Sequence, residues 1–294
     1  MKYKVIWIMI LLLACVGGIE MTSGEANAAG RVAKEEWKKF ETGSAGVLEG
    51  KSIIVSIFID DKNSKWTEAA KKKANRKLGV SERYIEKQAK RYGKKVDLVT
   101  DIYQNTDLCY VYQTKMNVND TDKKQDKLYR KIHKYIDTTL PITELREKYD
   151  TDSIGFVLHM NKSGVSSTAV HYIEDTKYFY ECATLFSKFE GVPEGAATYA
   201  HEILHLYGAR DLYNESLQDG ITFSFVKYIA KRHPNDIMFS TYTMSGKQLT
   251  YRIKNEVSRV TAYYLGWKKK ILEKKKYPLM RHKKGCFSEG TAWK

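Results

Sequence analysis

The sequence predicts an α/β domain in which a sheet is backed by helices, followed by a mainly helical C-terminal part. Three observations predict it. Ser52–Ile59 (SIIVSIFI), Val96–Tyr103 (VDLVTDIY) and Ser153–Met160 (SIGFVLHM) are short runs rich in apolar and β-branched residues, which read as buried strands. Trp66–Arg91, Thr121–Ile136 and Pro141–Lys148 lie between them with helical periodicity. Strands that alternate with helices bury their faces against those helices. The 294 residues are 43% hydrophobic and 29% charged, which gives a core of ordinary size and excludes a disordered chain.

The elements follow in order. Lys2 and Lys4 precede an apolar run, Val5–Val16, too short to span a bilayer and suited to the core of a signal peptide. Two processing sites compete. Ala26-Asn27-Ala28 fits ordinary cleavage, making residues 1–28 a signal peptide, and Leu12-Leu13-Ala14-Cys15 resembles a bacterial lipobox, which would anchor the chain through Cys15. Either one places the folded part outside the cytoplasm, released or held at the cell surface. Residues 29–50 read as a polar lead-in. The helix over Trp66–Arg91 is expected to break near Gly79-Val80-Ser81, with Ser81 capping its second part. The stretch through Phe189 can supply further strands. Ala196–Leu206 is a helix with Pro193 and Glu194 as start signals, Ile221–Lys231 is another, and Leu249–Trp267 is a last long one.

The formal charge is +15, and removal of residues 1–28 leaves it unchanged because Lys2 and Lys4 go with Glu20 and Glu25. Such a charge favours anionic surroundings, cell-wall polymers or membrane surfaces among them. The basic residues are densest in 268–294, read as a C-terminal tail and as the place of electrostatic attachment. No nucleic-acid-binding motif accompanies the charge. Cleavage at Ala28 leaves Cys109, Cys182 and Cys286, at most one disulfide, so the core rather than a disulfide framework supplies stability.

The chemistry concentrates in His201-Glu202-Ile203-Leu204-His205. Histidines four apart on a helix point the same way, so two imidazoles can hold one zinc ion from a single rigid element. Glu202 sits on a neighbouring flank, where it can act as general base on a water that zinc brings to a pKa of about 7. A catalytic zinc needs a third protein ligand. Gly208 can take positive φ, stop the helix and let the chain return with Asp211. At background frequencies the His-Glu-x-x-His string arises in roughly one chain in a hundred of this length, and Gly208 with Asp211 lowers that by about another hundredfold. The string is therefore read as a zinc site, with His201, His205 and Asp211 as ligands.

His201-Glu202-x-x-His205-x-x-Gly208-x-x-Asp211 resembles the elongated signature of the metzincin metallopeptidases, in the variant with Asp as last ligand that is similar to snapalysin. Asn235-Asp236-Ile237-Met238-Phe239-Ser240 resembles the methionine turn of that family, with Met238 as its methionine. The resemblance implies a zincin fold. Its parts would be a mixed twisted sheet with backing helices, an active-site helix and a helix beneath the site, within a catalytic domain at 51–267. It also implies Zn2+ as cofactor, a protein or peptide substrate, and zinc-dependent endopeptidase activity with Glu202 as the catalytic base. Substrate held by β-augmentation near Ser153–Met160 is a further implication. Ser240 stands where some members carry a transition-state-stabilising tyrosine, which leaves Tyr242 as a weak substitute.

Other residues have plainer readings. His159 and His171 could line the cleft or bind a second ion, but read better as hydrogen-bonded core or edge histidines. Cys182 reads as a small buried hydrophobe. Asp120, Asp122 and Asp126 lack the Gly and Glu that a calcium loop requires. The rival function is a cell-surface or cell-wall binding protein on a metallopeptidase-like fold. The intact Glu202 argues against it.

Overall fold

The computed structural model describes residues 43–100, 106–171 and 179–282. The segment read as a signal peptide, Cys15, most of the segment read as a lead-in, Cys286 and the end of the basic stretch lie outside the described residues. Seven strands form one mixed sheet: β1 (Gly50–Asp60), β2 (Val96–Thr100), β3 (Cys109–Gln113), β4 (Ile154–Ser163), β5 (Ser167–Ala169), β6 (Cys182–Phe189) and β7 (Val192–Pro193). The order is β2-β1-β4-β6-β5. β3 continues the β2 edge along the second half of β1, and β7 pairs with the end of β6. β1, β2, β3, β4 and β6 run parallel, whereas β5 and β7 are antiparallel to β6.

Helices cover both faces, which explains why β1 is a nearly continuous apolar run instead of an alternating one. Ile53, Val55, Ile57 and Ile59 pack with Leu128, Ile132 and Ile136 of α2 (Asp122–Thr139) and Leu145 of α3 (Ile142–Tyr149). Ile54, Val157 and Leu185 pack on the other side with Leu78 and Ile85 of α1 (Glu68–Arg91) and Ile203 of α4 (Ala196–Leu206). Gly155 lets α4 approach β4, because a Cβ there would lie 2.9 Å from both Ile54 Cδ1 and Leu206 Cδ1.

α1 is continuous through Gly79-Val80-Ser81, so the expected break is absent. The Ser81 hydroxyl is not a cap. It donates to Lys77 O, one turn back (3.0 Å), and lies 2.9 Å from Ala196 O, the first residue of α4. A serine that satisfies itself within the helix removes the reason for a break. The expected long helix over Leu249–Trp267 is also absent. Only α6 (Arg259–Tyr264) forms, capped by Ser258. The preceding residues lend their backbone groups to other segments: Thr250 O accepts from Ala196 N–H at the start of α4, and Glu256 exchanges hydrogen bonds with Asn235 and Ile237. Apart from α5 (Phe223–Arg232), α6 and two 3-10 turns, residues 207–282 are loops and bends. The C-terminal part is thus less helical than expected. Residues 268–282, the first part of the segment read as a tail, are seated on the domain through buried Ile271, Tyr277 and Leu279, and Glu273 takes an ion pair from Arg259 at 2.6 Å.

Ser153–Met160 does not offer a free edge, because β4 is paired by β1 on one side and β6 on the other. β5 is an edge strand, paired only with β6 among the described residues, while β2 and β3 form the opposite edge along β1. His159 points into the core, stacked on Phe58 at 4.4 Å with Nε2 3.1 Å from Ser56 Oγ. His171 donates its backbone N–H to Glu181. The Cys182 thiol is buried and its pKa is pushed up by that burial.

His133 and His159 are both buried, and burial pulls their pKa values down, to about 4 and about 3 respectively. Both values lie below the ordinary histidine value, so below pH 6.5 the unfolded chain binds protons that the folded chain does not. Stability should therefore fall as pH drops from 6.5 towards 4, by up to about 1.4 kcal/mol per pH unit for each histidine. Melting temperatures across this range should show the decline, with a shallower slope for His159→Phe. An unchanged slope in that variant would show that His159 does not titrate this way.

Candidate metal centre

α4 is buried along almost its whole length, with only His205 partly open. It begins at Gly195, where the Thr198 hydroxyl donates to Glu194 Oε2 at 2.6 Å. It ends by a glycine stop. Gly208 has φ +96°, its N–H donates to His205 O (2.9 Å), and Ala209 N–H donates to Leu204 O (3.1 Å). This is the Schellman pattern, in which a left-handed residue satisfies the last carbonyls and reverses the chain. The reversal brings Asp211 back over the face that carries His201 and His205.

His201 Nδ1 lies 2.9 Å from the carbonyl oxygen of Ile237, and His205 Nδ1 lies 2.8 Å from that of Ala209. A carbonyl can only accept, so each Nδ1 carries the hydrogen and each Nε2 presents a lone pair. The two Nε2 atoms are 3.1 Å apart, and Asp211 Oδ1 lies 3.1 Å from one and 3.2 Å from the other. Three acceptors facing one another repel unless a positive charge lies between them. A tetrahedral ion with bonds of about 2.0–2.1 Å holds its ligand atoms about 3.3 Å apart, so the observed triangle has the right size. Among the described residues this is the only His/Cys/Asp/Glu group so arranged, and His159 and His171 are not in it.

The electrostatics agree. Burial opposes charge on His201, but the hydrogen bond and charge of Asp211 outweigh it and push its pKa up to about 9. Burial would raise Asp211, yet the two histidines hold it well below the ordinary carboxylate range. The centre of the triangle attracts a cation, and a proton or a metal ion satisfies it. Both imidazoles and the carboxylate fit a zinc ion in kind as well as in spacing.

Glu202 is 5% exposed. Burial raises its pKa, against the lowering effect of His201 and His205. The Thr168 hydroxyl on β5 lies 2.7 Å from Glu202 Oε2 and 3.0 Å from the Glu202 carbonyl oxygen. Oε1 has no partner among the described residues.

The Asn235–Ser240 segment lies against the centre. Ile237 O accepts from His201, and Met238 O accepts from Leu212 N–H at 2.9 Å, next to Asp211. Met238 is fully buried in the core below. The turn is closed by bonds from Phe239 and Ser240 N–H to Asp236 O. The buried Asp236 carboxylate fixes it to the base of α6 by accepting from Met238 N–H (2.7 Å), Ser258 N–H (2.9 Å) and the Thr261 hydroxyl (2.8 Å).

Sequence reasoning missed Thr168 and Tyr213. The Tyr213 ring stacks on His201 at 6.4 Å between centroids, two residues beyond Asp211. Although the residue is 52% exposed, desolvation of the hydroxyl and then the Asp211 and Glu202 charges raise its pKa. Tyr242 is exposed, and partial burial, then the charges of Glu194 and Glu190, raise its pKa. The short spacing from Asp211 was the available signal for Tyr213; nothing local marks Thr168.

Gly208→Ala forces a side chain into the left-handed region and should cost about 1 kcal/mol or more. The melting temperature should fall, and more than for Ala209→Gly. An unchanged melting temperature would mean that the reversal does not need glycine. No protein-family model matches the chain, and no curated protein matches it either.

Proposed function

We propose that this chain is a zinc-dependent endopeptidase of the metzincin type that acts outside the cytoplasm. The observation that carries the reading is the convergence of His201 Nε2, His205 Nε2 and Asp211 Oδ1 at zinc-ligand spacing, with Glu202 beside it on the same helix. The methionine turn under the centre and the order strand, long helix, strand at the start of the domain support the family resemblance. No helix among the described residues is long and apolar enough to cross a membrane, so export rests on the apolar N-terminal segment.

His201, His205 and Asp211 would hold the ion, which when bound supplies Lewis acidity toward a water molecule and the scissile carbonyl. The chain's own groups account for the proton movements. Thr168 fixes one oxygen of Glu202, leaving Oε1 to take a proton from the attacking water and return it to the leaving amine. Burial raises the Glu202 pKa, which makes the carboxylate a better base than one in water. Tyr213 places a phenolic O–H beside the centre, able to donate to a carbonyl oxygen as negative charge grows on it. The antiparallel edge strand β5, which carries Thr168, gives an extended peptide a backbone ladder beside Glu202.

The test measures bound zinc and cleavage of a diverse peptide library. Wild type should hold one zinc ion and cleave. Glu202→Gln should keep the zinc and lose at least about a hundredfold in kcat. Tyr213→Phe should keep the zinc and lose about a hundredfold in kcat with little change in KM. Zinc bound without cleavage by wild type would favour the binding-protein reading, and absence of zinc would remove both the ligand set and the mechanism.

A further inference from the structure

A groove of about 640 Å³ runs between α1 and the extended Tyr251–Glu256 segment, within the range of about 300–1,000 Å³ typical of ligand pockets. Its lining includes five cations, Arg83, Lys87, Arg91, Arg252 and Lys254, and one carboxylate, Glu256. All five cations are exposed. Arg83, Lys87 and Arg91 follow at four-residue spacing along one face of α1, about 6 Å apart per step. Arg252 and Lys254, two apart on an extended bank, face the groove opposite them.

The groove is built rather than incidental. Its extended bank is fixed by Glu256 N–H to Asn235 O (3.0 Å) and Asn235 Nδ2 to Lys254 O (3.2 Å). The banks are joined by Val257 N–H to Gln88 Oε1 (3.2 Å) and by Arg91 to Glu256 (3.3 Å). That pair uses Arg91 alone; Arg83, Lys87, Arg252 and Lys254 have no ion pair among the described residues. Glu82 and Glu86, the acids nearest Arg83, are engaged elsewhere, by Thr100 Oγ1 and Leu98 N–H. Tyr84 lines the groove at 8% exposure with a buried hydroxyl that has no hydrogen-bond partner among the described residues. An unpartnered buried hydroxyl costs free energy until a ligand satisfies it.

We propose that this groove binds a linear polyanion bearing phosphate groups, independently of the metal centre. Cations repeating along both banks suit a chain with regularly spaced charge. Guanidinium forks and ammonium groups on both banks offer charged donors that match the oxygens of successive phosphate groups. The polymer would hold the protein on an anionic surface.

A second groove, lined by Lys62, Lys115, Lys124, Lys127 and Lys131, has a similar volume of about 590 Å³. It serves as the control for charge alone. Inorganic polyphosphate is titrated calorimetrically into the full chain carrying Glu202→Gln, so that cleavage plays no part. The triple variant Arg83→Gln, Lys87→Gln, Arg252→Gln should bind at least about tenfold more weakly and lose roughly three units of salt slope. The charge-matched variant Lys124→Gln, Lys127→Gln, Lys131→Gln should change by less than about twofold. Unchanged melting temperatures confirm that both variants fold. Equal weakening in the two variants, no binding by the parent chain, or equally tight binding of charge-matched polyglutamate would overturn the proposal.

Discussion

Commitment of the two histidine Nδ1–H groups to backbone carbonyls shapes everything around the centre. Ile237 O and Ala209 O take those hydrogens and thereby aim both Nε2 lone pairs at Asp211. One carbonyl belongs to the chain reversal that delivers Asp211, and the other to the turn that carries Met238. The orientation of each imidazole is thus tied to the segment that completes or supports the site. Without a cation the three acceptors repel, so the fold stores a demand for positive charge at this point.

The rest of the domain holds α4 in place for that purpose. Gly155 lets the helix lie close on β4, the Ser81 hydroxyl reaches its first carbonyl from α1, and the Tyr207 hydroxyl meets Ser52 Oγ on β1 at 2.5 Å. Asp236 is the counterpart on the far side, a carboxylate buried only because the Met238 and Ser258 N–H groups and the Thr261 hydroxyl satisfy it. Arg210, between Ala209 and Asp211, pairs with the buried Asp219 at 2.8 Å and pins the returning chain. The candidate metal centre rests on a buried helix, a glycine stop and two polar anchors.

Much of this could be read in the sequence because it was local. The α4 boundaries, the one-turn spacing of His201 and His205, and the stop at Gly208 follow from short-range rules. The β1 and β4 strands were legible as apolar runs. What escaped depended on distant partners. Residues 249–257 carry helix-compatible side chains, but their backbone groups are taken up by Ala196, Asn235 and Ile237, and no window of the sequence shows that. Thr168 meets Glu202 only because β5 folds back antiparallel on β6. Tyr213 sits close to Asp211 in sequence, yet its role depends on the direction in which the Gly208 turn sends the chain. The basic groove is likewise tertiary: Arg83 and Arg252 become neighbours only when α1 and the extended segment pack together.

Zinc K-edge X-ray absorption on the zinc-loaded chain reads the ligand shell itself and not its consequences. Two imidazole ligands with the remaining contacts from oxygen, all at about 2.0–2.1 Å, are expected, with loss of one imidazole in His205→Ala. Sulfur scattering near about 2.3 Å, or a shell of oxygen alone, would contradict this ligand set.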